Sequence, residues 1–295
     1  MDSTAILIIV FLTLVGLGCG IAIFLANRFL PDEDPLLKRT EEISQYLPGM
    51  NCGACGMPGC FAYAGEVAKD VECLDKYPCM TLQNDPEALK GLGQCLGLEL
   101  SGGEKKVAVV HCAGDSEVLF DYAGIDSCKA ASQISAGYKK CPYACLGFGD
   151  CAEVCPVNAI SIDSEKKVAV VDPEVCIGCG LCAKECPQNI IEIIPAEMPQ
   201  FLACSYLSRK DIPGREKCSI GCIHCKMCVR ASEGGEVDWD DKTFMPLFDH
   251  AKLLPAPAAI DKCPKKVILK RDSPRWSQMP KKERVEVEKP AVKKE

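Results

Sequence analysis

The chain opens with a long hydrophobic run, and the segments after it alternate apolar and polar residues at shorter periods. Residues 4–27 (TAILIIVFLTLVGLGCGIAIFLAN) contain no charged residue and exceed the about 20 apolar residues that span a bilayer. No Lys or Arg precedes this run, whereas Arg28, Lys38 and Arg39 follow it. Under the positive-inside rule this predicts a single-pass transmembrane anchor over residues 1–30, with the N-terminus outside. The rest of the chain is then expected on the cytoplasmic side of the inner membrane, with the lipid bilayer as a partner. A cleaved signal peptide is the alternative, but it typically has a basic N-terminal region and a shorter apolar run.

Helical periodicity dominates the region that follows. FAYAGEVAKDVECLDKY (61–77) places Ala and Val at helical spacing without an internal turn signal. NDPEALKGLG (84–93) predicts another helix, which Asp85 caps and Pro86 begins. These patterns predict a small helical domain over residues 31–100.

Short apolar runs typical of strands replace the helical pattern further along. KKVAVVHC (105–112) has an echo in KKVAVVDPEVC (166–176), and AISI, DSEKK and VAVV together predict a β-hairpin. Three Cys-Pro corners each precede a strand-like run, in CPVNAISI, CPQNIIEII and CPKKVILK. This repeat is typical of a ferredoxin-like fold.

The predicted fold class is therefore α+β, with a single N-terminal transmembrane helix before the domains. The small helical domain is expected to hold one [4Fe-4S] cluster. A ferredoxin-like two-cluster module and a half-ferredoxin module should follow it. The predicted boundaries are 1–30 for the anchor, 31–100 for the helical domain, 101–140 for a connecting strand and helix segment, 141–200 for the two-cluster module, 201–270 for the half-ferredoxin module and 271–295 for a disordered charged tail.

Composition points to thiolate chemistry. The 295 residues include 23 cysteines and only three histidines. An odd number of cysteines, grouped as C-x2-C runs that end in Cys-Pro, favours metal clusters over a disulfide scaffold. Zinc is the competing metal, but structural zinc sites typically use two C-x2-C pairs that a loop separates.

Charge and the lack of nucleotide motifs exclude other functions. The net charge is −7, and the tail from Arg271 is positive, so residues 1–270 carry about −10. That balance argues against nucleic acid as a partner. The sequence has neither a G-x-G-x-x-G after a strand nor a Walker loop, so we expect no nucleotide on this chain.

The complete ferredoxin run CIGCGLCAKECP (176–187) gives the clearest ligand set. In two-cluster ferredoxins the fourth cysteine of each run ligates the other cluster. One cluster is therefore expected on Cys176, Cys179, Cys182 and Cys155.

The second run, CPYACLGFGDCAEVCP (141–156), has Phe148 where a ligand is expected. The nearest free thiolate is Cys141, so we predict a displaced ligand. A three-iron cluster or a non-cysteine ligand is the alternative. The predicted set is Cys141, Cys145, Cys151 and Cys186.

Two further groups flank this module. In CSIGCIHCKMCVRAS (218–232) Ser232 replaces the fourth ferredoxin cysteine, so a half-ferredoxin with one cluster is predicted. Its set is Cys222, Cys225, Cys228 and Cys263. In NCGACGMPGC (51–60) the fourth ligand is Cys79 or, alternatively, Cys73. The first choice gives the set Cys52, Cys55, Cys60 and Cys79.

Five cysteines remain in the cytoplasmic part, at positions 95, 112, 128, 204 and 218. They are either small buried residues or ligands of an additional cluster, with Cys112 and Cys128 near Cys141, or Cys204 and Cys218 near the half-ferredoxin. About four [4Fe-4S] clusters are expected, with one or two more if these cysteines bind iron.

An apolar N-terminus, then CGACGMPGC, then CPYACLGFGDCAEVCP resembles the B-subunit family of the Rnf complex, the ion-translocating ferredoxin:NAD+ oxidoreductase. The second run is similar to that of the longer version found in anaerobic bacteria. The resemblance implies a subunit of a translocase that accepts electrons from reduced ferredoxin. It also implies other membrane and flavin-bearing subunits as partners, transport of Na+ or H+, and no complete active site on this chain alone.

Two other functions remain open at this point. A ferredoxin-like subunit of another membrane redox complex, such as a hydrogenase, would use the same clusters. A zinc-stapled scaffold or redox sensor would use the same thiolates without electron relay.

Overall fold

The computed structural model describes residues 3–29, 34–100, 102–114, 116–207, 218–232, 234–249 and 253–271. The helices within them are α1 (Ser3–Phe29), α2 (Pro35–Ser44), α3 (Cys60–Lys69), α4 (Cys73–Lys76), α5 (Met80–Gln83), α6 (Pro86–Leu96), α7 (Cys128–Ser132), α8 (Asp150–Glu153), α9 (Leu181–Glu185), α10 (Met227–Ala231) and α11 (Pro257–Lys262). The strands are β1 (Lys106–Val110), β2 (Ile160–Asp163), β3 (Val168–Val171), β4 (Ile191–Pro195), β5 (Gln200–Leu202), β6 (Val237–Asp240), β7 (Met245–Phe248) and β8 (Ile268–Lys270). This mixture of helices and strands agrees with the predicted α+β content.

The predicted transmembrane anchor is not supported. In the part of the chain that the structure describes, no helix is long and apolar enough to cross a membrane. This finding contradicts the predicted single-pass topology, that is, the transmembrane helix of the fold class and the N-terminus outside.

In the helical domain α2 packs mainly against α3 and also contacts α6. Ile43, Tyr63 and Leu92 are almost fully buried in its core. Burial of one such side chain stabilises the fold by about 1.5–3 kcal/mol. The predicted helix at 84–93 is confirmed, because Asp85 accepts a hydrogen bond from the Ala88 amide and Pro86 begins α6.

The predicted uninterrupted helix at 61–77 is wrong, because α3 ends at Lys69 and α4 begins only at Cys73. Asp70 has an extended backbone, and its carboxylate accepts a hydrogen bond from the Glu72 amide at 3.0 Å. Short acidic side chains stabilise turns in this way.

Four antiparallel two-stranded sheets organise the described part of the chain from residue 102 onward. The predicted hairpin is confirmed as β2 and β3, with Ile160 opposite Val171. β1 pairs with β4, so that Val110 lies opposite Ile191, and β5 pairs with β8. The remaining pair is β6 and β7.

The three Cys-Pro corners have one backbone geometry, and each leads into a strand as predicted. Asn158, Asn189 and Lys266 have φ of 51°, 51° and 49°. Each donates its amide to the carbonyl of the corner cysteine, at 3.1–3.2 Å. Asn tolerates the left-handed region well, whereas Lys adopts it less readily.

One continuous hydrophobic core runs from β1 to β8, and it includes Val107, Phe201 and Val267. The helical domain has a separate core and meets the rest of the chain where Asn84 donates to the Ile177 carbonyl at 2.7 Å. The domain boundaries given above remain predictions. The predicted disordered tail lies outside the described residues, except for Arg271.

Candidate iron–sulfur sites

The helical domain brings four cysteines to one cavity. Cys52 and Cys55 lie on the loop before α3, Cys60 begins α3, and Cys79 immediately precedes α5. The Asn51 side chain orders this loop by accepting a hydrogen bond from the Cys60 amide at 2.7 Å. We call Cys52, Cys55, Cys60 and Cys79 the N-terminal set.

The structure distinguishes the two candidates for the fourth position of this set. Cys79 lines the cavity, and burial, followed by the charges of Cys55 and Cys60, raises the pKa of its thiol. Cys73 is also buried, but it lies at the start of α4 and does not line the cavity. This placement favours Cys79.

The three leading cysteines of the complete ferredoxin run lie close to Cys155. Burial, together with the thiols of Cys176, Cys179 and Cys155, raises the pKa of Cys182 to about 12. Backbone amides point at two of these sulfurs, since Ala108 donates to Cys176 Sγ at 3.3 Å and Ala159 donates to Cys155 Sγ at 3.2 Å. We call Cys155, Cys176, Cys179 and Cys182 the intact-loop set.

The run that contains Phe148 keeps the backbone of the intact run. Gly147 and Gly149 have φ of 76° and 98°, and Gly178 and Gly180 have φ of 63° and 77°. A Cβ on Gly147 would lie 2.5 Å from the Lys167 carbonyl oxygen, and one on Gly178 would lie 2.5 Å from that of Lys106. Phe148 therefore occupies the position that Cys179 has in the other loop.

The Phe148 ring packs into an aromatic cluster. Its centroid lies 5.3 Å from that of Tyr122 and 5.5 Å from that of Tyr138. Cys128 packs into the same small core, beside Leu146. A cysteine therefore lies close to the position where this loop lacks one.

The candidate for the missing thiolate is Cys128, at the start of α7. The cavity next to Phe148 is lined by four cysteines, which we call the Phe148-loop set: Cys128, Cys145, Cys151 and Cys186. Burial raises the pKa of Cys151, and the thiols of Cys145, Cys128 and Cys186 add to that rise. Ala169 donates its amide to Cys145 Sγ at 3.4 Å.

Side chains next to the other ligands hold α7 in place. The Asp150 carboxylate accepts hydrogen bonds from the Cys128 amide at 2.8 Å, the Lys129 amide at 3.1 Å and Ser127 Oγ at 2.9 Å. Lys129 Nζ lies 2.5 Å from Glu185 Oε1. Because Asp150 precedes Cys151 and Glu185 precedes Cys186, the loops that supply these thiolates also position Cys128.

Cys141 lies elsewhere. It lines a different cavity, together with Cys112, Cys204 and Cys218, and with Cys222 at its edge toward the last module. The sequence-based set with Cys141 as the displaced ligand does not match this placement, because Cys141 is not among the residues that line the Phe148-loop cavity. The sequence grouped Cys128 only with Cys112 and Cys141, as part of an additional site. In the structure it begins α7 and lines the Phe148-loop cavity instead.

The last module brings together the predicted half-ferredoxin set, Cys222, Cys225, Cys228 and Cys263. Burial raises the pKa of Cys222 to about 12, with contributions from Cys204, Cys228 and Cys263. Ser232, at the position of the missing cysteine, ends α10 and donates its hydroxyl to the Cys228 carbonyl at 2.9 Å.

Neighbouring sets lie close enough for their thiols to influence one another electrostatically. The Cys52 thiol contributes to the raised pKa of Cys179, for which burial is the largest cause. Cys182 does the same for Cys151. The N-terminal set therefore adjoins the intact-loop set, which adjoins the Phe148-loop set.

The donors suit iron–sulfur clusters. Each set consists of four buried or partly buried thiols, and backbone amides point at several of the sulfurs, which are the features that hold and tune such clusters. Among the described residues, no three His, Cys, Asp or Glu side chains converge on a point that would suit one metal ion. In a cluster each thiolate binds a different iron, so convergence on a single ion is not required.

Two family models match the chain. A model described as a 4Fe-4S dicluster domain matches residues 139–190, and one described as a putative Fe-S cluster matches residues 47–75. The first covers the intact-loop and Phe148-loop runs, and the second covers most of the N-terminal set. These matches confirm the predicted cofactor class, several [4Fe-4S] clusters.

Curated relatives match over most of the chain. The B subunit of the ion-translocating oxidoreductase complex of Methanosarcina acetivorans is 33% identical over 273 residues, which are 91% of this chain and 99% of the relative. The B subunit of the Na(+)-translocating ferredoxin:NAD(+) oxidoreductase complex of Acetobacterium woodii is 34% identical, over 88% of this chain and 74% of the relative. The proton-translocating counterpart of Clostridium ljungdahlii is 35% identical, over 75% of this chain and 76% of the relative.

The fold and the thiolate sets define an iron–sulfur protein with several clusters. The chain belongs to the B-subunit family of ion-translocating oxidoreductase complexes. The resemblance found in the sequence and the predicted class, one component of such an oxidoreductase, are thereby confirmed. Other subunits of the complex are its partners.

Proposed function

We propose that this chain accepts electrons from reduced ferredoxin and relays them to other subunits of an ion-translocating ferredoxin:NAD+ oxidoreductase complex. The observation that carries this proposal is the packing of α8, which carries Cys151, against α9, which carries Cys182. Cys52 of the N-terminal set also lies close enough to Cys179 to affect its pKa. Relatives named as ferredoxin:NAD(+) oxidoreductase subunits support ferredoxin as the donor and NAD+ as the final acceptor of the complex.

We assign four [4Fe-4S] clusters to four of the sets described above. The assignment keeps the predicted ligands of three sets and replaces Cys141 by Cys128 in the fourth. The clusters belong to the N-terminal set, the intact-loop set, the Phe148-loop set and the half-ferredoxin set.

A bound cluster supplies one-electron chemistry, and the residues of the chain determine where it sits and how it is tuned. The amides of Ala108, Ala159 and Ala169 donate to thiolate sulfurs, which stabilises negative charge there. Burial of Cys145, Cys151 and Cys182 keeps water away from the same sites. Exclusion of water and a fixed set of donors keep the reorganisation on electron transfer small.

The test is a titration of the anaerobically purified full chain with reduced ferredoxin. The relay predicts bleaching of the cluster absorption and the appearance of EPR signals from several reduced clusters. A protein that contains iron and sulfide but is not reduced by ferredoxin would contradict the donor assignment.

Metal analysis and copurification test the two other functions. Zinc in place of iron would support the scaffold or redox-sensor function and end the relay hypothesis. Recovery with hydrogenase subunits, and not with subunits of an ion-translocating oxidoreductase, would support a different redox complex. Iron with acid-labile sulfide, and copurification with the oxidoreductase subunits, is the expected result.

A further inference from the structure

Four cysteines that belong to none of the four sets assigned above lie together between the Phe148-loop set and the half-ferredoxin set. We propose that Cys112, Cys141, Cys204 and Cys218, the bridging set, hold a fifth [4Fe-4S] cluster that connects these two sites. The inference rests on the proposed function only in that the two neighbouring sets also carry clusters.

Backbone contacts bring all four residues together. Cys112 and Cys204 each follow a strand by two residues, and they face each other in an isolated antiparallel bridge. A second bridge joins Ser116 to Cys218, and Ser116 Oγ accepts a hydrogen bond from the Cys141 amide at 3.1 Å. The four thiols therefore come from four separate segments and meet through specific contacts.

The cavity between them has the lining that a cluster requires. Small side chains, those of Ala113, Ala144 and Ala203, leave room between the sulfurs. Tyr143 and Tyr206 also line it, with their rings packed edge to face at 5.6 Å between centroids. Such an apolar enclosure with thiol donors suits an iron–sulfur centre better than a polar ligand.

The electrostatics of these thiols support the same conclusion. Burial, together with the neighbouring thiols of Cys112, Cys204 and Cys218, raises the pKa of Cys141 to about 12. Burial also raises the pKa of Cys204, followed by contributions from Cys112 and Cys218. The four thiols are partly buried and close together, and iron is the partner that would stabilise them jointly as thiolates.

The bridging set makes hydrogen bonds to both neighbours. Cys145 of the Phe148-loop set donates its amide to Cys112 Sγ at 3.4 Å. Cys222 of the half-ferredoxin set donates its amide to Cys204 Sγ at 3.3 Å. In the proposed step, one electron leaves a reduced neighbouring cluster, which goes from 1+ to 2+. The bridging cluster gains that electron and goes from 2+ to 1+, while all four thiolates stay bound.

The test compares two double variants of the full chain, purified anaerobically and reconstituted with iron and sulfide. C112A/C204A removes two bridging thiolates. C19A/C95A removes two exposed cysteines that lie outside all five sets, and it serves as the matched control. Iron, acid-labile sulfide and the EPR spectrum of the reduced protein are measured for each.

We expect C112A/C204A to contain about four fewer irons and four fewer sulfides per chain than the control. The EPR signals of the other sets should remain. Equal iron content in the two variants would overturn the proposal, whereas a control without iron would instead overturn the proposed function.

Single variants distinguish loss of the cluster from a general folding defect. C141A and C218A should each lose this cluster, or convert it to a three-iron centre with an EPR signal in the oxidised protein. If either variant kept the full iron content and spectrum of C95A, the four-thiolate set would be wrong. Circular dichroism spectra that match the control would show that the fold survives.

Discussion

The two loops of the ferredoxin-like module have the same backbone but obtain their fourth thiolate differently. The loop at 178–180 supplies Cys179 itself, whereas the loop at 147–149 presents Phe148 at the equivalent position. In the proposed assignment Cys128 of α7 supplies the missing thiolate, and Asp150 accepts a hydrogen bond from its amide. The comparison shows that loop geometry and ligand identity are separable, because glycines preserve the first while another segment supplies the second.

The strongest test of this comparison moves the ligand back into the loop. C128A should lose the cluster of the Phe148-loop set, or about four irons per chain. C128A/F148C should recover it, because residue 148 has the backbone position of Cys179. Iron content and reduced-state EPR measure both effects.

The control for this rescue is C128A/F148A, which makes a similar space in the aromatic cluster without adding a thiol. It should remain deficient in iron. Equal iron content in C128A and the unmodified chain would show that Cys128 is not a ligand.

A buried cation provides the next test. Lys139 is only 6% exposed and donates Nζ to the Lys167 carbonyl at 2.8 Å. Burial lowers its pKa, and the thiols of Cys145, Cys112, Cys128 and Cys141 oppose that shift. These four thiols belong to the Phe148-loop and bridging sets, so Lys139 distinguishes them from the intact-loop set.

K139M should lower the reduction potentials of those two sets, because loss of a nearby positive charge disfavours an added electron. The shift should be on the order of 50–100 mV, for a unit charge at about 8 Å and an effective dielectric constant of about 20. EPR-monitored redox titration measures it. K140M, a change at a partly exposed lysine that pairs with Glu117, is the control and should leave the potentials unchanged. An equal shift of the intact-loop set would contradict the assignment.

The cap of α7 should have a smaller effect. D150A removes the acceptor for three hydrogen bonds and should destabilise the position of Cys128 by about 1–2 kcal/mol. Iron release to a chelator should then become about 5–30-fold faster for this cluster. D126A changes an exposed carboxylate on the same segment and should release iron at the original rate. Unchanged release from D150A would remove Asp150 from the positioning of Cys128.

The Cys-Pro corners give the smallest expected effect. N158A and N189A should each destabilise the fold by about 0.5–1 kcal/mol, since both asparagines adopt the left-handed conformation. K266N should stabilise it by a few tenths of a kcal/mol, on the order of a helix or turn propensity difference. Thermal unfolding followed by circular dichroism compares the three. Clearly different effects of N158A and N189A would show that the corners are not equivalent.

Local sequence patterns predicted several strands, turns and helix ends of this protein, because these features depend on neighbouring residues. The three strands after the Cys-Pro corners, the hairpin and the cap at Asp85 all agree with the structure. Predictions based on local pattern also placed the N-terminal and half-ferredoxin thiols together.

Contacts between distant segments could not be read in the same way. Cys128 and the bridging set depend on how α7, β1 and β5 pack, and nothing in the local spacing encodes that packing. A weak signal existed, since Cys112 and Cys204 both follow a strand by two residues. The prediction of one helix over 61–77 was wrong for a local reason, because the turn at Asp70 was not recognised. The anchor was predicted from hydrophobicity and flanking charge alone.

The exchange of cysteines between the two loops also constrains how the protein matures. Cys155 completes a set whose other members appear only at 176–182, and Cys186 completes a set that begins at 128. A nascent polypeptide that has emerged only as far as residue 170 therefore offers neither centre its full complement of sulfur donors. Delivery of iron by the assembly machinery should thus follow synthesis of residues 128–186. A translation pause before Cys186 would leave thiols without iron and exposed to oxidation.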